Sequence, residues 1–118
     1  ATASLRRAVV CTGFPYDYAT NPDNNQNRWD AVLPHARALR CFGASALEMC
    51  YVAAGRLDGQ WEAYLRPWDM MAGTLMVLEA GGTVTDLEGG TGDLRHGRIA
   101  TSNGHIHAEL LAALAAAR

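Results

Sequence analysis

The feature that most constrains the fold is an uncharged apolar run, residues 70–78, with Pro67 in front of it and Gly81-Gly82 behind. Proline suits the first position of a helix, where a missing N–H breaks no intrahelical bond, and a glycine pair supplies the permissive backbone that ends one. The run reads as a helix. With no charge from Met70 to Leu78, it is expected to be covered on most sides by the rest of the chain. It is far shorter than the roughly 18 apolar residues of a membrane span, so a soluble core helix is expected. Asp69 is the odd residue. In the first turn, beside Trp68, a carboxylate is favoured by the helix dipole and can accept free N–H groups as a cap. The same placement aims a carboxylate out of the end of a rigid helix, where it can ligate a hard cation such as Mg2+.

A chain of 118 residues is one domain at most and can build a core without staples. Cys11, Cys41 and Cys50 are odd in number, lie in apolar stretches and form no C-x-x-C pair, so buried thiols in a reducing compartment, the cytoplasm, are expected rather than bridges or zinc. The net charge of −2 comes without basic runs beyond Arg6-Arg7, which argues against nucleic acid or a membrane surface and leaves a small or phosphorylated metabolite open. The opening residues before the first apolar run do not read as a signal peptide.

Short β-favouring runs alternate with helical ones. Residues 8–12 read as a strand buried on both faces, with the loop Gly13-Phe14-Pro15-Tyr16-Asp17 leaving it. Residues 21–27 are rich in Asn and Asp, but Arg28 and Pro34 stand where a calcium loop needs Gly and Glu, so this is a polar loop. A helix is expected over residues 29–38, with Pro34 arguing for a break or a late start. Residues 38–42 read as a second strand, and residues 46–54 as a largely buried helix closed by Gly55, with Glu48 its one charge. Gly43 stands between them, either for a tight turn or because free N–H groups there hold hydroxyls or anions. From Leu57 the period becomes two, with Trp61 and Ala63 on the apolar side and Gln60, Glu62 and Tyr64 on the other, a half-buried strand. Glu62 then either meets solvent or shares a cleft with Asp69 at the end of the sheet.

Residues 83–86 and 99–101 read as further strands joined by a Gly-rich connection whose Gly90-x-Gly92 lacks the third glycine of a dinucleotide fingerprint. Ser102-Asn103 is expected to cap a final helix with Ile106, Leu110, Leu111 and Leu114 on its apolar stripe, and His105 and His107 are expected at the surface. The whole is an α/β layered domain with a mixed sheet, in which binding groups gather where strands end and helices begin, at Gly43 and Asp69.

Read together, the stretch from Gly43-Ala44-Ser45 to Arg56-Leu57-Asp58-Gly59, then Trp61-Glu62, Pro67-Trp68-Asp69 and Glu79-Ala80-Gly81-Gly82, closely resembles the C-terminal half of the inositol monophosphatase family. Thr12-Gly13-Phe14-Pro15-Tyr16-Asp17 and Thr101-Ser102-Asn103-Gly104 extend the resemblance over nearly the whole chain. It implies a Mg2+-dependent phosphatase of inositol phosphates or similar sugar phosphates, an αβαβα sandwich, commonly a homodimer. It also implies roles: Asp69 as a metal ligand that touches the substrate or the attacking water, Glu62 as the carboxylate binding a sugar hydroxyl, and Gly43, Ala44 and Ser45 as the loop against the substrate. Hard ions that polarise a phosphate and acidify a bound water call for carboxylate ligands, in keeping with Asp69. The family's other metal ligands belong to an Asp-Pro-x-Asp-Gly-Thr motif and a Glu in an earlier half. Arg56-Leu57-Asp58-Gly59-Gln60 lacks the first Asp, the Pro and the Thr and is not that motif. The residues in hand are therefore expected to be the substrate-binding half, inactive without an N-terminal metal-binding half. The alternative is a non-catalytic binding or interaction domain derived from the same fold.

Overall fold

The computed structural model describes residues 2–117, the side chain of Pro67 excepted. Strands β1 (Val9–Cys11), β2 (Ala38–Arg40), β3 (Gly59–Glu62), β4 (Thr83–Thr85) and β5 (Ile99–Ser102) alternate with helices α1 (Gln26–Val32), α2 (Ser45–Ala53), α3 (Pro67–Glu79) and α4 (His107–Ala115). They form one sheet in the order β2-β1-β3-β5-β4, in which β1 is parallel to both neighbours and β5 is antiparallel to β3 and β4. This is the mixed α/β arrangement expected. The crossover through α1 moves toward one edge of the sheet, and those through α2 and α3 move toward the other. Right-handed crossovers in opposite directions lie on opposite faces, and the packing follows. Val32 of α1 and Leu110 and Leu114 of α4 pack with Val10, Trp61 and Ala100 on one face; Met49 and Val52 of α2 and Met70 and Val77 of α3 pack with Cys11 and Ile99 on the other. No helix among the described residues is long and apolar enough to cross a membrane.

The helix ends obey the sequence signals. Gly81, at φ 84°, and Gly82 return N–H groups to Leu78 and Val77, and Gly55 and Arg56 do the same to Val52 and Tyr51, so α3 and α2 both close in paired reverse bonds. Pro34 breaks α1 into a 3-10 turn at Leu33–His35, and the helix itself starts earlier than expected, after Asn25 in the left-handed region.

Five expectations need correction. The helix carrying Asp69 is not covered on most sides: Met70, Gly73 and Val77 face inward, while Trp68 (70% exposed, with the Arg66 guanidinium 6.0 Å from its ring), Met71 (72%) and Leu75 (60%) lie open. Absence of charge marks apolarity, and the described residues supply a layer for one flank only. The strand at Glu62 is buried throughout, not on one side, because β3 is the middle strand and both faces carry helices. Cys41 is exposed, since it leaves the sheet just after β2, and Cys50 is partly exposed, whereas Cys11 is buried as expected. His105 is at the surface as expected, but His107 is buried, its ring nitrogens 2.8 Å from Ser102 Oγ and 2.9 Å from Thr85 Oγ1. Ser102-Asn103 does not cap the last helix: Asn103 accepts the His105 and Ile106 N–H groups in the turn ahead of it, and α4 begins later, at His107, with no side-chain cap.

Candidate functional site

Three parallel strands, β2, β1 and β3, end side by side. The chain leaving β1 heads for the α1 face, while the chains leaving β2 and β3 head for the α2/α3 face, and in open α/β sheets this is where a binding crevice is expected. Its walls are Thr12-Gly13 after β1, Cys41-Phe42-Gly43 after β2, and Glu62 at the last position of β3.

Glu62 points to the α2 side and is 6% exposed. Burial first, then the charge of Glu48, push its carboxyl up to about 8, against the pull of the Gly13 N–H. A carboxyl that keeps its proton at neutral pH both donates and accepts. Gly13 is fixed by the same contact, since a Cβ there would lie 2.9 Å from Glu62 Oε1. Cys11, one step back on β1, is pushed up to about 12, mainly by burial and then by Glu48, and stays an inert thiol at physiological pH.

The Gly43-Ala44-Ser45 turn lies at the rim. Gly43 adopts φ 75°, a left-handed conformation that favours glycine, and Ala44, the residue at the helix N-cap, makes no side-chain cap. The N–H groups of the first turn of α2 therefore have neither an intrahelical acceptor nor a side-chain cap from Ala44. Beneath them, Glu48 Oε2 accepts the Phe42 N–H at 3.1 Å, and Gln60 Nε2 donates to Ser45 O and to Glu48 Oε1, each at 3.1 Å.

Asp69 lies in the first turn of α3, the helix that follows β3. Its Oδ2 accepts the Arg66 N–H at 3.0 Å and its own N–H bonds Arg66 O at 2.9 Å, so the capping arrangement is formed. Among the described residues it bonds neither Glu62 nor the 43–45 turn, and no group of three or more His, Cys, Asp or Glu side chains could hold a metal ion. A magnesium site needs several oxygen donors, and this chain presents one candidate, half engaged as a cap. Asp58 is no substitute: its Oδ2 takes the Val9 N–H at 2.9 Å, at the opposite ends of β1 and β3.

Three buried polar residues of the site were not singled out from the sequence as parts of it: Asn25, Glu48 and Gln60. Asn25 donates to Thr12 Oγ1 and Gly13 O, both at 2.8 Å, and accepts the Trp61 indole N–H at 2.9 Å, which pins the first wall of the crevice. A lone Asn in an Asn-rich loop gives no such signal. The interruption of an apolar helix by Glu48 does.

A mixed sheet with helices on both faces, a glycine-led helix N-terminus and buried carboxyls at the end of its parallel strands define an α/β layered domain. The model of the inositol monophosphatase family matches residues 1–118, and the chain belongs to that family. It is 44% identical over 115 residues to an inositol-1-monophosphatase of Synechocystis sp., covering 98% of this chain and 40% of the relative. It is 42% identical over 102 residues to the Nus factor SuhB of Pseudomonas aeruginosa, covering 85% and 38%. The solved inositol monophosphatase of Anabaena (Nostoc) sp. superposes with a TM-score of 0.92 at 38% identity, covering 98% of this chain and 46% of that one. The chain thus spans less than half the length of these relatives, which fits the C-terminal half of such a protein.

Proposed function

We propose that this chain is the substrate-binding part of a Mg2+-dependent phosphatase acting on inositol monophosphate or related sugar and polyol phosphate monoesters. The observation that carries the reading is Glu62, buried at the end of β3 against Gly13, with the Gly43-Ala44-Ser45 turn tied to the same strand through Glu48 and Gln60. In this reading Glu62 orients a ring hydroxyl, the backbone of the 43–45 turn lies against the sugar, and Asp69 contributes one oxygen to the cation and the substrate. Further ligands come from polypeptide outside these residues, whose packing against α3 also covers Trp68, Met71 and Leu75. The 118 residues alone are then inactive.

Phosphate release from inositol 1-phosphate by the complete protein with Mg2+ tests the reading. Asp69→Asn is expected to lower turnover by 100-fold or more, as for loss of a contact made in the transition state, on the order of 3 kcal/mol. Wild-type turnover in that variant returns Asp69 to capping alone. A non-catalytic binding or interaction domain is the second reading, favoured by the lack, among the described residues, of a complete ligand set. It gains if the complete protein binds inositol yet releases no phosphate.

A further inference from the structure

Two acidic side chains are sealed beneath α2, Glu48 at 0% and Glu62 at 6% exposure, and neither has an arginine partner among the described residues. Burying one carboxylate without a cation is unfavourable, and a second beside it more so. A neutral side chain at 48 would serve packing better, so the carboxylate calls for a reason beyond packing.

Its contacts supply one. Both hydrogens of the Gln60 amide are taken, by Ser45 O and Glu48 Oε1 at 3.1 Å, and its oxygen faces Thr101 Oγ1 at 3.4 Å. The second oxygen of Glu48 takes the Phe42 N–H. The network runs from β5 through β3 to the first turn of α2 and ends on the residue before Gly43, with no free donor left to rearrange. We infer that Glu48 is a positioning residue for the ligand: by holding the Phe42 N–H and the Gln60 amide, it fixes the Gly43-Ala44-Ser45 turn relative to Glu62 and so sets which polyol fits between them. The inference rests on the phosphatase reading of Glu62. Glu48 does not touch the substrate; it acts through the turn, and through its charge on the neighbouring carboxyl. The groups facing Glu62 are Glu48 from α2, Cys11 from β1, Cys41 beyond β2 and the Gly13 N–H.

The test uses the complete protein with Glu48→Gln and Glu48→Asp, and two substrates, inositol 1-phosphate and an aryl phosphate without hydroxyls. Glu48→Gln is expected to raise KM for the inositol ester roughly tenfold, with kcat within about twofold and the aryl ester unaffected. Carbon-13 NMR should show the Glu62 carboxyl titrating closer to the ordinary carboxyl range. Glu48→Asp keeps the charge but shortens the reach, and should keep the Glu62 titration while still raising KM. Unchanged KM for the inositol ester in either folded variant, or equal losses on both esters, makes Glu48 a fold residue only and overturns the inference. If Glu48→Gln does not fold, the Asp variant decides by the same comparison. A wild-type protein that hydrolyses neither ester overturns the phosphatase reading itself. Calorimetric binding of myo-inositol to wild type and variants then decides the positioning role separately, with equal or absent binding counting against it.

Discussion

Glu62 and His107 give the protein two buried titrating groups of opposite sign. The Glu62 carboxyl, raised mainly by burial from 4.5 to about 8, keeps its proton longer in the folded state than in the unfolded chain. Its contribution is therefore full below pH 4.5 and is lost as pH climbs through about 8. Glu62→Gln should melt close to wild type at pH 5 and several degrees above it at pH 8.5, on the order of 5 °C; parallel melting curves across that range would mean the carboxyl is ionised throughout. Burial lowers His107 from its ordinary 6.5, so this group stabilises above that value and stops doing so as pH falls below it. His107→Gln should flatten that acid limb in thermal melts, at a cost near neutrality of about 1 kcal/mol for the displaced Ser102 and Thr85 bonds. Of these residues the sequence singles out only Glu62, by resemblance. Alternation along the strand put Glu62 opposite Trp61 correctly but could not reveal that the polar side would itself be roofed by a helix. His107 was misread because spacing says where a ring points and not what lies there.

Elements were easier to read than their surroundings. Pro67, Gly55 and Gly81-Gly82 marked helix ends through backbone chemistry that needs no neighbour, and each works as expected. Strands came out shorter than their apolar runs: β1 and β2 hold three residues each, because pairing, not propensity, decides where a ladder stops. Gly73 went unremarked within the apolar run, yet it sets how closely α3 approaches α2. A Cβ there would stand 2.7 Å from Met49 Sδ and 2.8 Å from Met49 Cβ. Gly73→Ala should therefore lower stability by about 1 to 3 kcal/mol in denaturant titration, the overpacking outweighing the roughly 1 kcal/mol an alanine adds inside a helix. A stabilised variant would show that the two helices can slide apart freely.

At the scale of the molecule, the two helical layers differ in what they leave outside. The outer side of α1 and α4 carries Asn27, Asp30 and Glu109 among its exposed and partly exposed residues, while α3 presents Trp68, Met71, Leu75 and Leu78. A contiguous apolar patch of this kind marks an interaction surface. The 118-residue chain by itself should bind a hydrophobic dye and associate as its concentration rises in sedimentation. Met71→Glu with Leu75→Glu should abolish both and leave the melting temperature within about 2 °C, whereas in the complete protein the same pair should destabilise strongly. Equal behaviour in the two settings would show that the patch is left bare there too. The bare flank of α3 begins one residue before Asp69, the carboxylate proposed to meet the cation. In the proposed assembly, hiding the oily side and completing the ion's cage are a single event, so an orphaned copy of this chain would be sticky and chemically idle together, and no free half could hydrolyse esters at random.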